Sequence, residues 1–181
     1  AKALVAPHID LRLGGAIYAQ SYGALADSAH RDVFIILGIS HQPMQNCFAL
    51  TYKDFETPLG LVKTNAGFVH QIAEFCDTDF FADEIFHRDE HSIEFQIPAL
   101  QAYLSRPFQI VPILCNFDHY MSTDYQHQFN QMIGALRAVL RQQGQNTCVI
   151  AAVDLAHVGP HYGDPFTPDP YILMQDRKSV V

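Results

Sequence analysis

The chain lacks a cluster of basic residues and lacks a long hydrophobic run. Its 181 residues include 11 Lys and Arg against 19 Asp and Glu, which gives a net charge of −8. Binding to a nucleic-acid backbone needs a basic surface, so this composition argues against a nucleic-acid partner and against an acidic membrane surface. No run of about 18 apolar residues and no charged-then-apolar leader is present. We therefore expect neither a transmembrane span nor a signal peptide, and the cytoplasm as the compartment.

The sequence also lacks the cysteine motif CxxC and the metal-binding motif HExxH. The four cysteines form no CxxC pair, and three of them, Cys47, Cys115 and Cys148, border apolar segments. Cysteine in such a context is usually a small buried hydrophobic residue, so we expect core packing and no disulfide framework. The absence of HExxH makes a zinc or other metallohydrolase a third and weaker alternative.

Strand and helix patterns alternate along the chain without a linker, a repeat or a low-complexity segment. Apolar runs predict strands at residues 4–6, 33–37, 48–52, 59–63, 109–114 and 147–153. Helical spacing predicts helices at residues 16–29, 66–75, 90–104 and 125–142, with a turn at Gly14 and Gly15 and a kink or later start caused by Pro98. The alternation predicts a single α/β domain over residues 1–181, with a central mixed or parallel sheet flanked by helices.

Three histidines follow strand-like runs: His8 follows LVAP, His41 follows VFIILGIS, and His157 follows CVIAAVDLA. The carboxyl ends of parallel strands meet at one crevice, so these three imidazoles can converge. One such histidine is more often an ordinary loop residue, whereas three with the same placement favour a metal site. Neutral imidazole binds Fe, Zn, Cu and Ni. We expect surface positions for four other histidines, His30, His70, His119 and His127.

Polar segments near these histidines supply candidate groups for proton transfer and substrate binding. In DLAHVG, Asp154 can orient His157 and raise its basicity, or it can simply cap a helical turn beside an unrelated histidine. In HRDEHSIE, His91 lies near a helix N-terminus, where it would stay neutral, and Arg88 can bind an anionic substrate. The alternative is that these groups, with Ser92, only cap that helix.

Metal-binding imidazoles usually need neighbours that fix the ring tautomer. Asp10, Asp154 and Glu90 lie close enough in sequence to the candidate histidines to serve in this way.

Six ordered segments resemble one known family. APHID with the following GG, ILGISH, FETPLG, RDEHSIEFQ, FQIVPILC and DLAHVG occur within residues 4–164. They resemble the Memo family, whose bacterial branch is called AmmeMemoRadiSam system protein B. That family is similar in fold to the class III extradiol dioxygenases, so the resemblance implies a metal crevice at the strand ends. It implies that His8 and His41 are metal ligands and that His91, Asp154 and His157 line the same pocket.

The resemblance also implies a cofactor. The dioxygenase relatives hold ferrous iron on two histidines and a carboxylate, and in Memo proteins a cysteine from the C-terminal third takes the third place. No cysteine follows Cys148 in this sequence. We expect a divalent metal, Fe(II) before Cu or Zn, and leave the third ligand open. We also expect either that part of the C-terminal third is missing from this sequence, near residues 165–171 or beyond the end, or that the third ligand has been lost.

Two functions follow from these expectations. The first is a non-haem oxygenase or oxidase acting on a small molecule, with His157, Asp154 and His91 in proton transfer and Arg88 and Asp10 binding substrate. The second is a non-catalytic module that uses the same crevice to bind a peptide or partner protein, as the resemblance implies for phosphotyrosine peptides. Fold alone does not decide between them. The aromatic content also leaves room for a homo-oligomeric interface.

Overall fold

A seven-stranded mixed sheet forms the centre of the part of the chain that the computed structural model describes, residues 2–26, 31–104, 106–118, 120–143, 146–154 and 158–169. The strands are β1 Ala3–Pro7, β2 Val33–Ile39, β3 Phe48–Leu50, β4 Phe55–Thr57, β5 Gly60–Thr64, β6 Gln109–Cys115 and β7 Thr147–Val153. Their order is β1-β7-β2-β6-β5-β4, and β3 also pairs with β6. The pairs β1–β7, β7–β2, β2–β6 and β6–β5 are parallel, whereas β3–β6 and β4–β5 are antiparallel.

Five α-helices cover the two faces of this sheet within the described residues. They are α1 Leu11–Ala26, α2 Ala66–Glu74, α3 His91–Glu94, α4 Gln96–Tyr103 and α5 Thr123–Gln143. Alternate side chains of β2 enter opposite cores: Phe34 packs with Tyr22 of α1 and Ile97 of α4, while Ile35 packs on the other face with residues of α2 and α5. A parallel sheet covered on both faces needs strands that are largely apolar, as β2 is throughout and β6 is after Gln109. The predicted α/β fold is confirmed.

Helix α1 begins earlier than the sequence predicted. The prediction that Gly14 and Gly15 form a turn was wrong, because both lie inside the helix. The carboxylate of Asp10 accepts a hydrogen bond from the backbone N–H of Arg12 at 2.8 Å and so satisfies one of the free donors of the first turn. A Cβ atom on Gly14 would lie 2.5 Å from Ile9 Cγ2, so glycine lets the helix approach the segment that follows β1.

The helix predicted over residues 90–104 is interrupted at Phe95 and continues as α4. Pro98 then lies in the first turn of α4, where a missing backbone N–H costs least. The expectation that Pro98 causes a kink or a later start is confirmed.

Two short strands differ from the prediction. β3 ends at Leu50, because β3 and β5 share one edge of β6. Phe48–Leu50 of β3 pair with Cys115–Ile113 of β6. Lys63 and Thr64 of β5 pair with Gln109 and Ile110 of the same strand. β4 was not predicted, since its three residues, FET, carry no apolar alternation.

The four cysteines are free, and Cys47, Cys115 and Cys148 are buried. Both observations agree with the expected core packing. Of the histidines expected on the surface, His70 and His127 are exposed, and His30 and His119 lie outside the described residues. No described helix combines the length and the apolar character that crossing a membrane requires.

Candidate metal centre

Three histidines meet at the carboxyl edge of the parallel strands. His8 directly follows β1, His41 follows β2, and His91 is the first residue of α3. One ring nitrogen of each histidine lies within 4.8 Å of a ring nitrogen of the other two. The ring centroids are 5.3 Å apart for His8 and His41, 5.7 Å for His8 and His91, and 4.7 Å for His41 and His91. This three-histidine cluster therefore brings three nitrogen donors close enough together that they could hold one metal ion.

The position of His91 depends on close packing of α3 against β2. A Cβ atom on Gly38 would lie 2.6 Å from Ser92 Oγ and 2.5 Å from Ile93 Cγ1, so only glycine allows this approach without a shift. The Ser92 hydroxyl donates a hydrogen bond to the backbone carbonyl of Ile39 at 2.9 Å. Helix α3 is thereby fixed at the end of β2, and its first residue lies beside His41.

His8 is almost completely buried, with 2% of its side chain exposed. Neither ring nitrogen has a hydrogen-bond partner among the described residues. Its Nε2 lies 3.1 Å from Asp154 Oδ2, which forms an ion pair only when the ring is protonated. Burial lowers the pKa of His8, and the Asp154 carboxylate and the backbone of Ala152 offset this only in part. A neutral imidazole with an unpaired nitrogen is the form that binds a metal ion.

The orphaned nitrogens of His8 are a direct test of whether these residues fit a metal. A buried polar atom without a partner costs about 1–3 kcal/mol. A metal ion bound between the three rings would remove that cost at one of the two His8 nitrogens. The donor set consists of imidazoles, which are good ligands for Fe, Cu and Zn. The residues present therefore fit a divalent metal ion.

Glu90 lies under the His41 and His91 rings and is itself buried, with 3% of its side chain exposed. Its carboxylate accepts hydrogen bonds from the backbone N–H groups of His41 at 2.8 Å and Ser92 at 2.9 Å. The two carboxylate oxygens also lie 3.0 and 3.1 Å from His41 Nδ1, and Oε1 lies 3.5 Å from His91 Nδ1. Burial alone would raise the pKa of Glu90, but the hydrogen bonds from His41 and Ser92 outweigh it and lower that pKa. Glu90 is therefore an anion at neutral pH.

Asp154, the residue after β7, contacts His8 at the edge of the cluster, and a third of its side chain is exposed. The sequence predicted that Asp154 orients His157. His157 lies outside the described residues, so this pairing stays a prediction.

The two predicted substrate-binding residues lie outside the three-histidine cluster. Asp10 forms an ion pair with Arg12 at 2.7 Å, and this hydrogen-bonded partner lowers the pKa of Asp10 to about 2. Arg88 is exposed and pairs with Asp89 at 2.8 Å. It lines a surface pocket of about 480 Å³ whose wall also includes Glu90. Substrate binding by Asp10 and Arg88 therefore stays a prediction.

The structure brings together His8, His41 and His91, whereas the sequence analysis placed only His8 and His41 in the metal site and gave His91 a proton-transfer role. The strand-end rule cannot identify His91, because this residue begins a helix. The available signal was Gly38 inside an otherwise bulky strand, since an isolated strand glycine marks close approach of another segment.

Comparison with known proteins gives a consistent set of matches. A family model described as "Memo-like protein" matches residues 1–179. A "MEMO1 family protein" of Aquifex aeolicus is 30% identical over 171 residues, which cover 94% of this chain and 43% of that protein. A protein of Methanopyrus kandleri is 33% identical over a region that covers 87% of this chain and 54% of that protein. A protein of Methanobrevibacter smithii is 32% identical over a region that covers 85% of this chain and 52% of that protein. The chain spans about half the length of the curated relatives it matches.

Proposed function

The chain belongs to the Memo-like protein family, as the six sequence segments predicted, and from this premise we propose that it binds a divalent metal ion, preferentially Fe(II), and acts as a non-haem oxygenase or oxidase on a small molecule in the cytoplasm. We assign the ligands to His8, His41 and His91. The observation that carries this proposal is the convergence of three ring nitrogens within 4.8 Å, with both nitrogens of the His8 ring buried and without a hydrogen bond.

The donor set supports an open metal site. Structural zinc sites are closed by four protein ligands, whereas sites with three protein ligands leave positions for substrate. The side chains of His41 and His91 are 43% and 44% exposed, so the cluster is accessible from solvent. A redox-active ion held in this way would supply electron transfer between a substrate and dioxygen. Copper and zinc are the alternative ions.

The surrounding side chains have separate tasks in this proposal. Glu90 and Asp154 place two carboxylates beside the cluster, which balances the charge of a bound cation. Asp154 is partly exposed at the rim, and we assign proton transfer to it together with His157. Arg88 is the proposed contact for an anionic substrate group, since its guanidinium reaches solvent at the neighbouring pocket.

Metal binding is tested by anaerobic reconstitution with Fe(II), removal of free iron and elemental analysis. We expect stoichiometric iron in the wild-type protein and none in His8→Ala or His41→Ala. His70→Ala is the matched control, because His70 is an exposed histidine of α2 outside the cluster. A wild-type protein that retains no iron, copper or zinc refutes the proposal.

Redox activity is tested by dioxygen uptake with ascorbate as the reductant. The iron-loaded wild-type protein should consume dioxygen faster than His41→Ala at the same total iron concentration. Equal rates would refute the oxidase assignment and leave the metal site in place.

A further inference from the structure

The Glu90 carboxylate faces three N–H donors of its own segment and of the His41 segment. Two of these groups are the backbone N–H groups of His41 and Ser92, which donate to the carboxylate. The third is the ring nitrogen His41 Nδ1, which lies 3.0 and 3.1 Å from the two carboxylate oxygens. An ionised carboxylate only accepts hydrogen bonds. His41 Nδ1 must therefore carry the ring proton, and the lone pair of the neutral ring is on Nε2.

The same carboxylate also lies beside His91. Glu90 Oε1 is 3.5 Å from His91 Nδ1, and the His41 and His91 rings are stacked with centroids 4.7 Å apart and an angle of 22° between their planes. Two nearly parallel rings whose Nδ1 atoms lie near one carboxylate have their Nε2 atoms on the opposite side. The Nε2 atoms of both rings then lie on the side away from Glu90.

The backbone around these histidines is held by other side chains. Ser92 Oγ donates to the Ile39 carbonyl at 2.9 Å, and Gln96 Nε2 donates to the carbonyls of Pro7 and Ser92, both at 3.0 Å. These bonds join the residue before His8, the end of β2 and helix α3. These bonds hold the segments in addition to the two backbone N–H groups that Glu90 itself binds, so the backbone does not depend on Glu90 alone.

We propose that Glu90 is a positioning residue that sets the Nδ1–H tautomer of His41 and holds His91 in the same orientation, so that both rings offer Nε2 to the metal. This inference rests on the proposed metal site. One buried carboxylate thereby prepares two of the three ligands before the metal arrives. It acts through the histidines and is not itself a ligand.

The first experiment uses the metal-free wild-type protein. Long-range ¹H–¹⁵N correlation spectra distinguish protonated from unprotonated ring nitrogens, and His41→Gln and His91→Gln variants assign the two signals. At about pH 8, above the ordinary histidine pKa of about 6.5, both rings should show a protonated Nδ1 and an unprotonated Nε2. A protonated Nε2 on His41 in the wild-type protein overturns the proposal without any variant of Glu90.

The second experiment uses the Glu90→Gln variant and Co(II) as the metal probe. This substitution removes the negative charge and replaces one of the two oxygens beside His41 Nδ1 by an N–H donor. We therefore expect the preference of His41 for the Nδ1–H tautomer to weaken and the Co(II) affinity to fall by about 10–100-fold. Glu94→Gln is the matched control, since it removes one exposed carboxylate from the same helix, and it should leave the tautomer and the affinity unchanged.

The outcomes separate this inference from the proposed function. If the wild-type protein binds Co(II) and Glu90→Gln keeps both the tautomer and the affinity, Glu90 has no positioning role and the metal site stands. If the wild-type protein binds neither Co(II) nor Fe(II), the proposed function fails, and the tautomer of His41 in the metal-free protein still decides what Glu90 does to the ring.

Discussion

Replacing Gly38 by alanine should both destabilise the protein and weaken metal binding. The added Cβ atom would lie 2.5 Å from Ile93 Cγ1 and 2.6 Å from Ser92 Oγ, against an ordinary carbon–carbon contact of about 3.5–4.0 Å. Ile93 is 1% exposed and is therefore enclosed by other parts of the protein. Overpacking of a core costs about 1–3 kcal/mol, and loss of the hydrogen bond from Ser92 to Ile39 adds about 1 kcal/mol. We therefore expect the free energy of unfolding to fall by about 2–4 kcal/mol.

Urea unfolding of the metal-free protein measures the stability, and Co(II) titration measures the metal affinity. Gly23→Ala is the control, because nothing lies within 4 Å of a Cβ atom at this position in α1. Alanine there should stabilise the helix by about 0.5–1 kcal/mol and leave the affinity unchanged. If Gly38→Ala is as stable as the wild type and binds Co(II) equally well, helix α3 does not depend on this close contact and the account of how His91 is placed is refuted.

Three further predictions concern protonation, buried hydrogen bonding and metal linkage. Burial lowers the pKa of His87 from 6.5 to about 4, so the stability that its neutral ring contributes is complete above pH 6.5 and is lost as the pH falls towards 4. His8 also has a lowered pKa, so urea unfolding of the metal-free protein between these limits should show a loss that exceeds the loss in His87→Gln by up to about 3 kcal/mol. Equal losses in the two proteins would contradict this prediction. Tyr22→Phe removes the 2.7 Å hydrogen bond to the buried Gln96 Oε1 and should cost about 1–3 kcal/mol in the same assay, whereas an unchanged midpoint would show that Gln96 finds another donor. Co(II) at 100 times its dissociation constant should stabilise the wild-type protein by about 2.7 kcal/mol and His8→Ala not at all, and equal stabilisation of both would place the metal elsewhere.

The sheet was predictable because burial on both faces leaves a clear signature. β2 is apolar throughout, and β6 and β7 are apolar after their first residues, Gln109 and Thr147. Such runs predict covered strands. The start of α1 was misjudged because a pair of glycines is typical of a turn, whereas the cap at Asp10 and the close approach of Gly14 to Ile9 are tertiary facts. Local pattern decides an element's type more reliably than it decides where the element begins.

The site was predictable in part for a related reason. His8 and His41 follow parallel strands, and the ends of such strands converge whatever the details of packing. His91 belongs to a different layer, and only the contact of α3 with Gly38 brings it to the other two. Glu90 was identified from the sequence as one of three residues able to orient a ligand, but its simultaneous contacts with His41, His91 and Ser92 required the structure.

The strand order explains how His8 and His41 can share one ion. β7 lies between β1 and β2, so the backbones that carry the two histidines are about 10 Å apart, two strand spacings of about 4.8 Å each. The ring centroids are nevertheless only 5.3 Å apart, so the side chains converge across the end of β7. The residue at that end is Asp154, and its carboxylate contacts His8 from the edge of the cluster. The proximity of His8 and His41 thus depends on both pairings of β7, a strand far from them in sequence. Loss of either pairing would separate the two histidines and should abolish the proposed metal binding.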